Sequence, residues 1–376
     1  MPSARTSFHG GTPPHSLGGA LESLFLGDWP ARLRSRTGRT LLLILAVLLA
    51  AYFSFKAVGN QITETNLLRE DRVSLALYLD GTAYKPFVYR VLTPALVRVA
   101  EHTLHVPWLL RALPGPLPDK LAGWCTDATA FPTPTCDDVA SYAAVAGAQF
   151  FVFLLLIYAH GLRLFGNPLA ALFGLGFAFF TVNAIELLHL SHVYDFGVLM
   201  FVALLLLCLQ RGWTVAFTLL LPLAFLTKET LVLYAGSFFL VNLGRIGIGR
   251  NLLLFVVQLV SFAVIHGLVR LHFAGNPGLG HEYYLPEQID FFTEQITISW
   301  LLLITLGLVL VFYRFPAKDR ALRRAGIVIL PWFVLFMIGG LQKELRVIFE
   351  VLPLLILYAV DSLLRLVPGL PGRAPG

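Results

Sequence analysis

Ten apolar runs constrain this chain more than any motif in it. They fall near residues 40–58, 141–161, 168–185, 195–210, 213–227, 231–244, 251–270, 297–313, 326–340 and 346–364. The runs are rich in Leu, Phe and Val and lack the period-two alternation of a barrel strand. Helices are the structure left, because an unpaired backbone group is too costly in hydrocarbon. Several runs are shorter than the roughly 20 residues that an upright helix needs to cross a bilayer, and 213–244 reads as two short helices meeting at a polar kink. With 57% hydrophobic residues and only 13% charged, the chain lacks the charge to solvate a globule. The expectation is an all-α polytopic membrane protein with about ten transmembrane helices.

A net charge of +6 would suit nucleic acid in a soluble protein. Here the basic residues lie mainly between apolar runs, where they orient the chain and touch anionic membrane lipids, so no nucleic acid is expected. A cytoplasmic N-terminus places 16 of the 28 Lys and Arg residues on inner segments and leaves only Lys228, Arg270, Lys343 and Arg346 in short outer loops. That asymmetry predicts a multi-pass inner (plasma) membrane protein with both termini cytoplasmic. Arg32, Arg34, Arg36 and Arg39 precede the first run, which reads as a retained anchor rather than a signal peptide. The predicted layout is a tail over 1–39, with Leu21 to Trp29 able to lie along the interface, then one transmembrane domain over 40–365, then a tail over 366–376.

The first outer loop, 59–140, is too long to be a plain connector. Its stretch from Glu70 to Arg98 is the most polar part of the protein and interleaves carboxylates, cations and tyrosines. Thr93 and Pro94 predict an N-cap and first-turn proline for an interfacial helix running to about His105, which would set Tyr89 and Arg90 just before an anion-favouring helix start. Pro107 to Pro134 reads as a loop. Cys125 and Cys136 share it on the predicted oxidising side, where a bridge would stabilise the loop by about 3 kcal/mol; two unpaired thiols are the alternative. Cys208 lies in an apolar run as inert core.

Polar groups without an obvious solvating role gather on the predicted outer side. Asp71, beside Glu70 and Arg72, is a candidate general base held ionised by its neighbour, with Asp80 and Glu64 as rivals and a solvated turn as the plain reading. Lys228 and Glu229 interrupt an apolar stretch. Adjacent residues do not share a helix face, so these two need different partners or a break between helices, unless they form a hairpin tip. Arg346 and Glu350, four apart and preceded by Lys343 and Glu344, fit an ion pair on one helix face, and Arg346 could instead hold a phosphate oxygen. Glu186, His189, His192 and Asp195 include metal-ligand types, but their spacing drifts around a helix. His192 and Asp195 read better as a polar pair at the mouth of the fourth span, and no metal ligands are assigned. His281 to Asp290 can shape an acceptor site or act as a spacer. No GxxxxGK, HExxH, GxSxG or CxxC pattern occurs, which removes the sequence case for nucleotide hydrolysis, a zincin, a hydrolase triad or a redox pair.

These features together resemble the GT-C class of integral membrane glycosyltransferases. The likeness rests on Glu70-Asp71 soon after the first span, Tyr89-Arg90-Val91-Leu92-Thr93-Pro94 leading into an interfacial helix, Lys228-Glu229-Thr230 after a short span, Asp195 opening a span and Arg346 near the start of the last. The chain departs from the class in lacking a large C-terminal outer domain. The resemblance implies a polyprenyl-phosphate-linked sugar as donor, and a glycan, lipid or protein hydroxyl as acceptor at the outer face. Asp71 would take the acceptor proton, with Asp80 as competitor. Glu70, Tyr89, Arg90, His192, Asp195, Lys228, Glu229, Lys343 and Arg346 would contact substrate, Arg90, Lys228 and Arg346 at the leaving phosphate. A divalent cation is the one cofactor left open. Two other readings stand beside this one: a polymerase or ligase of lipid-linked glycans, and a transporter or flippase, for which an internal repeat would be expected.

Overall fold

The computed structural model describes residues 36–68, 72–112, 117–126, 134–188, 192–280, 283–295, 297–340 and 345–366. Its regular elements are helices, and each of the ten apolar runs contains one. Long helices are α1 (Arg36–Glu64), α6 (Cys136–Phe165), α7 (Pro168–Leu188), α8 (Asp195–Arg211) and α11 (Ile248–His272), with α9 (Thr214–Thr227), α10 (Leu233–Asn242), α13 (Ile298–Phe312), α14 (Arg320–Ala325), α15 (Ile329–Gly339) and α16 (Leu352–Leu366) completing the bundle. Among the described residues five helical stretches are long and apolar enough to cross a membrane: Thr37–Glu64, Cys136–Phe165, Pro168–Glu186, Ile248–His272 and Arg320–Gly339.

What these helices leave exposed is as telling as what they bury. Leu253 on α11, Leu302 on α13 and Leu330 on α15 are 63%, 65% and 64% exposed, and similar residues continue along each helix. Apolar surface on this scale would drive a soluble protein to aggregate and is at home in lipid. α8 sits at the centre, buried from Asp195 to Gln210 apart from Met200 and Leu204.

Lipid tails are as apolar as leucine, so helices associate here through close packing rather than escape from water. Two glycines show it. A Cβ on Gly161 of α6 would lie 2.7 Å from the Ala171 Cα of α7. One on Gly197 of α8 would lie 3.1 Å from Thr227 of α9 and from Thr93, and 3.2 Å from Gln149 of α6. The second contact brings the start of the central helix against the first loop.

That loop is more helical than its composition predicts. It holds α2 (Leu75–Leu79), α3 (Leu92–His102), α4 (Val106–Ala112) and α5 (Leu117–Thr126), so the stretch expected as a Pro-rich loop contains two helices. The prolines explain the error, because Pro107 and Pro118 each occupy a first turn, where no N–H is required. α3 begins two residues before the expected start, and Thr93 does not cap it: its buried hydroxyl accepts from Gln149 Nε2 at 3.2 Å. Cys125 and Cys136 form the expected disulfide, Cα atoms 5.2 Å apart, which fastens α5 to the start of α6. Thr135 and Asp138 close a reciprocal capping box there.

Candidate functional site

The chain builds a charged cavity at one end of the bundle, where α9, α11 and α15 finish and α8 and α16 begin. α9 carries Pro222 and ends at Thr227; Lys228 is extended, and a 3-10 turn from Glu229 to Val232 leads into α10. This is the expected polar kink, and it sends two adjacent charges in different directions. Glu229 receives Arg90 at 3.0 Å through Nη2 and 3.3 Å through Nε. Lys228 reaches Glu350 at 2.5 Å. Arg90 also donates to the Tyr194 hydroxyl, and its guanidinium lies 4.5 Å from the centre of that ring, with Lys228 5.9 Å from the same ring.

Arg90, Lys228 and Glu350 are at most 7% exposed. Charges so removed from water are tolerated only as pairs, because an unpartnered one has nothing to replace its hydration. Glu350 was expected to pair with Arg346 four residues earlier. Leu345–Glu350 is a 3-10 helix and the Glu350 carboxylate meets Lys228; the side chain of Arg346 lies outside the described residues.

The pairs line a cavity of about 360 Å³. Tyr89 and Arg90 come from the first loop, His266 and Arg270 from α11, and Gly280 and Tyr284 from the segment that follows it. Trp332, Leu335 and Phe336 of α15, with Val347, make an apolar wall. Among the described residues, three cations against two carboxylates leave the lining with an excess positive charge, so the cavity favours an anion beside apolar chain. Its frame is tied together: Asn276 Nδ2 donates to the carbonyls of Gly81 and Ala83 at 2.8 and 3.0 Å, and Lys85 N donates to Pro277 at 2.8 Å. Gly278 has φ +90°, and a Cβ there would meet the Lys85 carbonyl at 2.8 Å, so only glycine lets the two segments close.

Of the residues singled out in the sequence, Tyr89, Arg90, Lys228, Glu229, Thr230, Tyr284 and Glu350 meet in this cavity. His192 and Asp195 lie behind it. The His192 backbone N–H donates to Asp195 Oδ2 at 2.7 Å, and the imidazole packs against Phe87 and Tyr194 at 5.1 and 5.4 Å between ring centres, which steadies the face that carries Arg90. Gln61, bonded to Tyr142 at 2.5 Å and to the His192 carbonyl at 3.3 Å, backs the same layer. Glu70, Asp71, His189, His281, Glu282, Lys343 and Glu344 lie outside the described residues, as do Leu21 to Trp29 and the side chain of Arg346. Among the described residues no three His, Cys, Asp or Glu side chains are grouped to hold a metal ion.

Asp80 lies apart from the cavity, in a neighbouring crevice of about 420 Å³ with Arg98, His272 and Asn276. Arg98 donates to Asp80 at 3.1 Å and also to Glu101 and Asp138 at 2.8 and 2.7 Å. Partial burial opposes the charge of Arg98, but the hydrogen bond to Glu101 and the three carboxylates together hold its pKa above the ordinary value. A third cavity, about 400 Å³ and almost wholly apolar, lies between α1, α5 and α6.

Sequence reasoning passed over His266, Arg270, Tyr194 and the partnership of Glu350. A signal for two of them was present: His266 and Arg270 are four apart in the last turns of a long apolar helix, a spacing that sets both on one face. No family model matches the chain, and no curated protein and no solved structure is significantly similar to it.

Proposed function

We propose that this membrane protein is a glycosyltransferase that moves a sugar from a polyprenyl-phosphate carrier to an acceptor hydroxyl, working at the bundle end that holds Arg90. The observation that carries the reading is the cavity itself, with excess positive charge on one wall and Trp332, Leu335 and Phe336 on the other, at the ends of helices whose outer faces are leucine. A polar phosphate on a hydrocarbon chain has both of those requirements. Ten crossings with that end on the non-cytoplasmic side belong to the same proposal.

In such a transfer the acceptor oxygen attacks the anomeric carbon, the bond from that carbon to the phosphate oxygen breaks, and the electron pair leaves with the phosphate. Cations placed where that charge develops lower the barrier, and more so in a site short of water. The acceptor proton goes to a carboxylate, and the resemblance to the GT-C class assigns it to Asp71. Incubation of the purified protein with a panel of labelled polyprenyl-phosphate sugars tests the reading. Sugar transfer with release of polyprenyl phosphate is expected, and it should fall by at least about 100-fold in Asp71→Asn while the protein stays folded in the membrane. Movement of an intact carrier across vesicles, with no cleavage, would retire the enzyme in favour of a transporter.

A further inference from the structure

The cations of the cavity are not equivalent. Arg90 and Lys228 are each held by a carboxylate, whereas Arg270, exposed at the end of α11, has no carboxylate or hydrogen-bond acceptor among the described residues. Its guanidinium lies over the Tyr89 ring, 5.8 Å from guanidinium carbon to ring centre, and packs against Gly280. Tyr89 stands between Arg270 and His266, whose ring meets it edge-on at 6.0 Å and stacks on Phe262 at 5.2 Å. Neither the Tyr89 hydroxyl nor the His266 imidazole has a hydrogen-bond partner among the described residues. Three unengaged donors therefore share one wall. Gly280 adjoins the same wall: a Cβ there would stand 2.6 Å from Arg270 Nη2 and 3.8 Å from the Tyr89 hydroxyl, so the missing side chain is what lets the guanidinium sit beside the tyrosine.

We infer that Tyr89, His266 and Arg270 form the subsite that receives the phosphate oxygens, and that the Arg90–Glu229 and Lys228–Glu350 pairs are its frame. A paired buried cation must give up its carboxylate to take a ligand, and that strands a charge. Arg270 gives up no carboxylate among the described residues. The subsite rests on the reading that the ligand is a lipid-linked phosphate, and it assigns the contacts to residues other than Arg90 and Lys228.

The test is binding of a short-chain polyprenyl phosphate, with the matching polyprenol as control, to the purified full-length protein. The parent should prefer the phosphate. Arg270→Gln should weaken phosphate binding by about tenfold or more and Tyr89→Phe by about threefold to tenfold, with polyprenol binding within about twofold of the parent. Arg270→Lys should restore part of the loss, because it keeps the charge without the planar fork. Parent-like phosphate binding in Arg270→Gln would overturn the subsite, and so would equal loss of phosphate and alcohol, which marks a packing role. Phosphate preference without sugar transfer would remove the proposed reaction and keep the subsite; transfer with unchanged KM in Arg270→Gln would do the reverse.

Discussion

The two ends of the bundle use the same residue types for different ends. At the end opposite Arg90, arginines cap helices: Arg163 donates to the Gln210 carbonyl at 2.9 Å, Arg245 to Leu209 at 3.0 Å and Arg324 to Leu243 at 2.9 Å. These carbonyls close α8 and α10, where cations are favoured by the helix dipole and by unpaired acceptors. Lys318 joins them, buried against Asp361 at 3.3 Å and the Tyr358 carbonyl at 2.8 Å. At the Arg90 end, Arg90 and Lys228 reach carboxylates carried by distant segments and line a cavity. One arrangement closes helices, and the other keeps a space open between them.

Substitutions should separate the two. The largest effect is expected from Lys228→Ala or Glu350→Ala, each of which strands a buried charge and should lower stability by about 3–5 kcal/mol. Thermal unfolding in detergent reads this, and Lys228→Met combined with Glu350→Leu should recover most of it. Next comes Gly161→Val, which forces α6 from α7 and should cost about 1–3 kcal/mol while phosphate binding at the far end persists. Arg245→Gln removes one carbonyl contact and should lower stability by about 1 kcal/mol, again with no change in ligand binding; a fall in binding would blur the contrast between the ends. Arg270→Gln should change stability least, within about 0.5 kcal/mol, although it sits at the cavity. A large loss there would place Arg270 in the frame.

Much of this architecture could be read from the chain. The apolar runs gave the helices because hydrocarbon leaves the backbone few choices, and the break at Lys228 followed from two adjacent charges that cannot share a face. The Cys125–Cys136 bridge followed from their placement in one loop. Pairings across the bundle were hidden. Glu350 sits four residues from Arg346, and the spacing that suggested that neighbour gave no hint of Lys228. Nothing local to residue 228 announces residue 350, which is 122 positions away. Arg270 counted in sequence as one more loop cation, and that it has no carboxylate among the described residues is visible only once Arg90 and Lys228 are seen to have theirs.

The most direct test of the account is photocrosslinking with a diazirine-bearing polyprenyl phosphate, followed by peptide mapping. Labels on the segments around Tyr89, Lys228, His266 and Phe336, displaced by excess unlabelled polyprenyl phosphate, are the expected result. Displaceable labels confined to the segments around Arg163, Arg245 and Arg324 would put the ligand at the wrong end of the protein and contradict it.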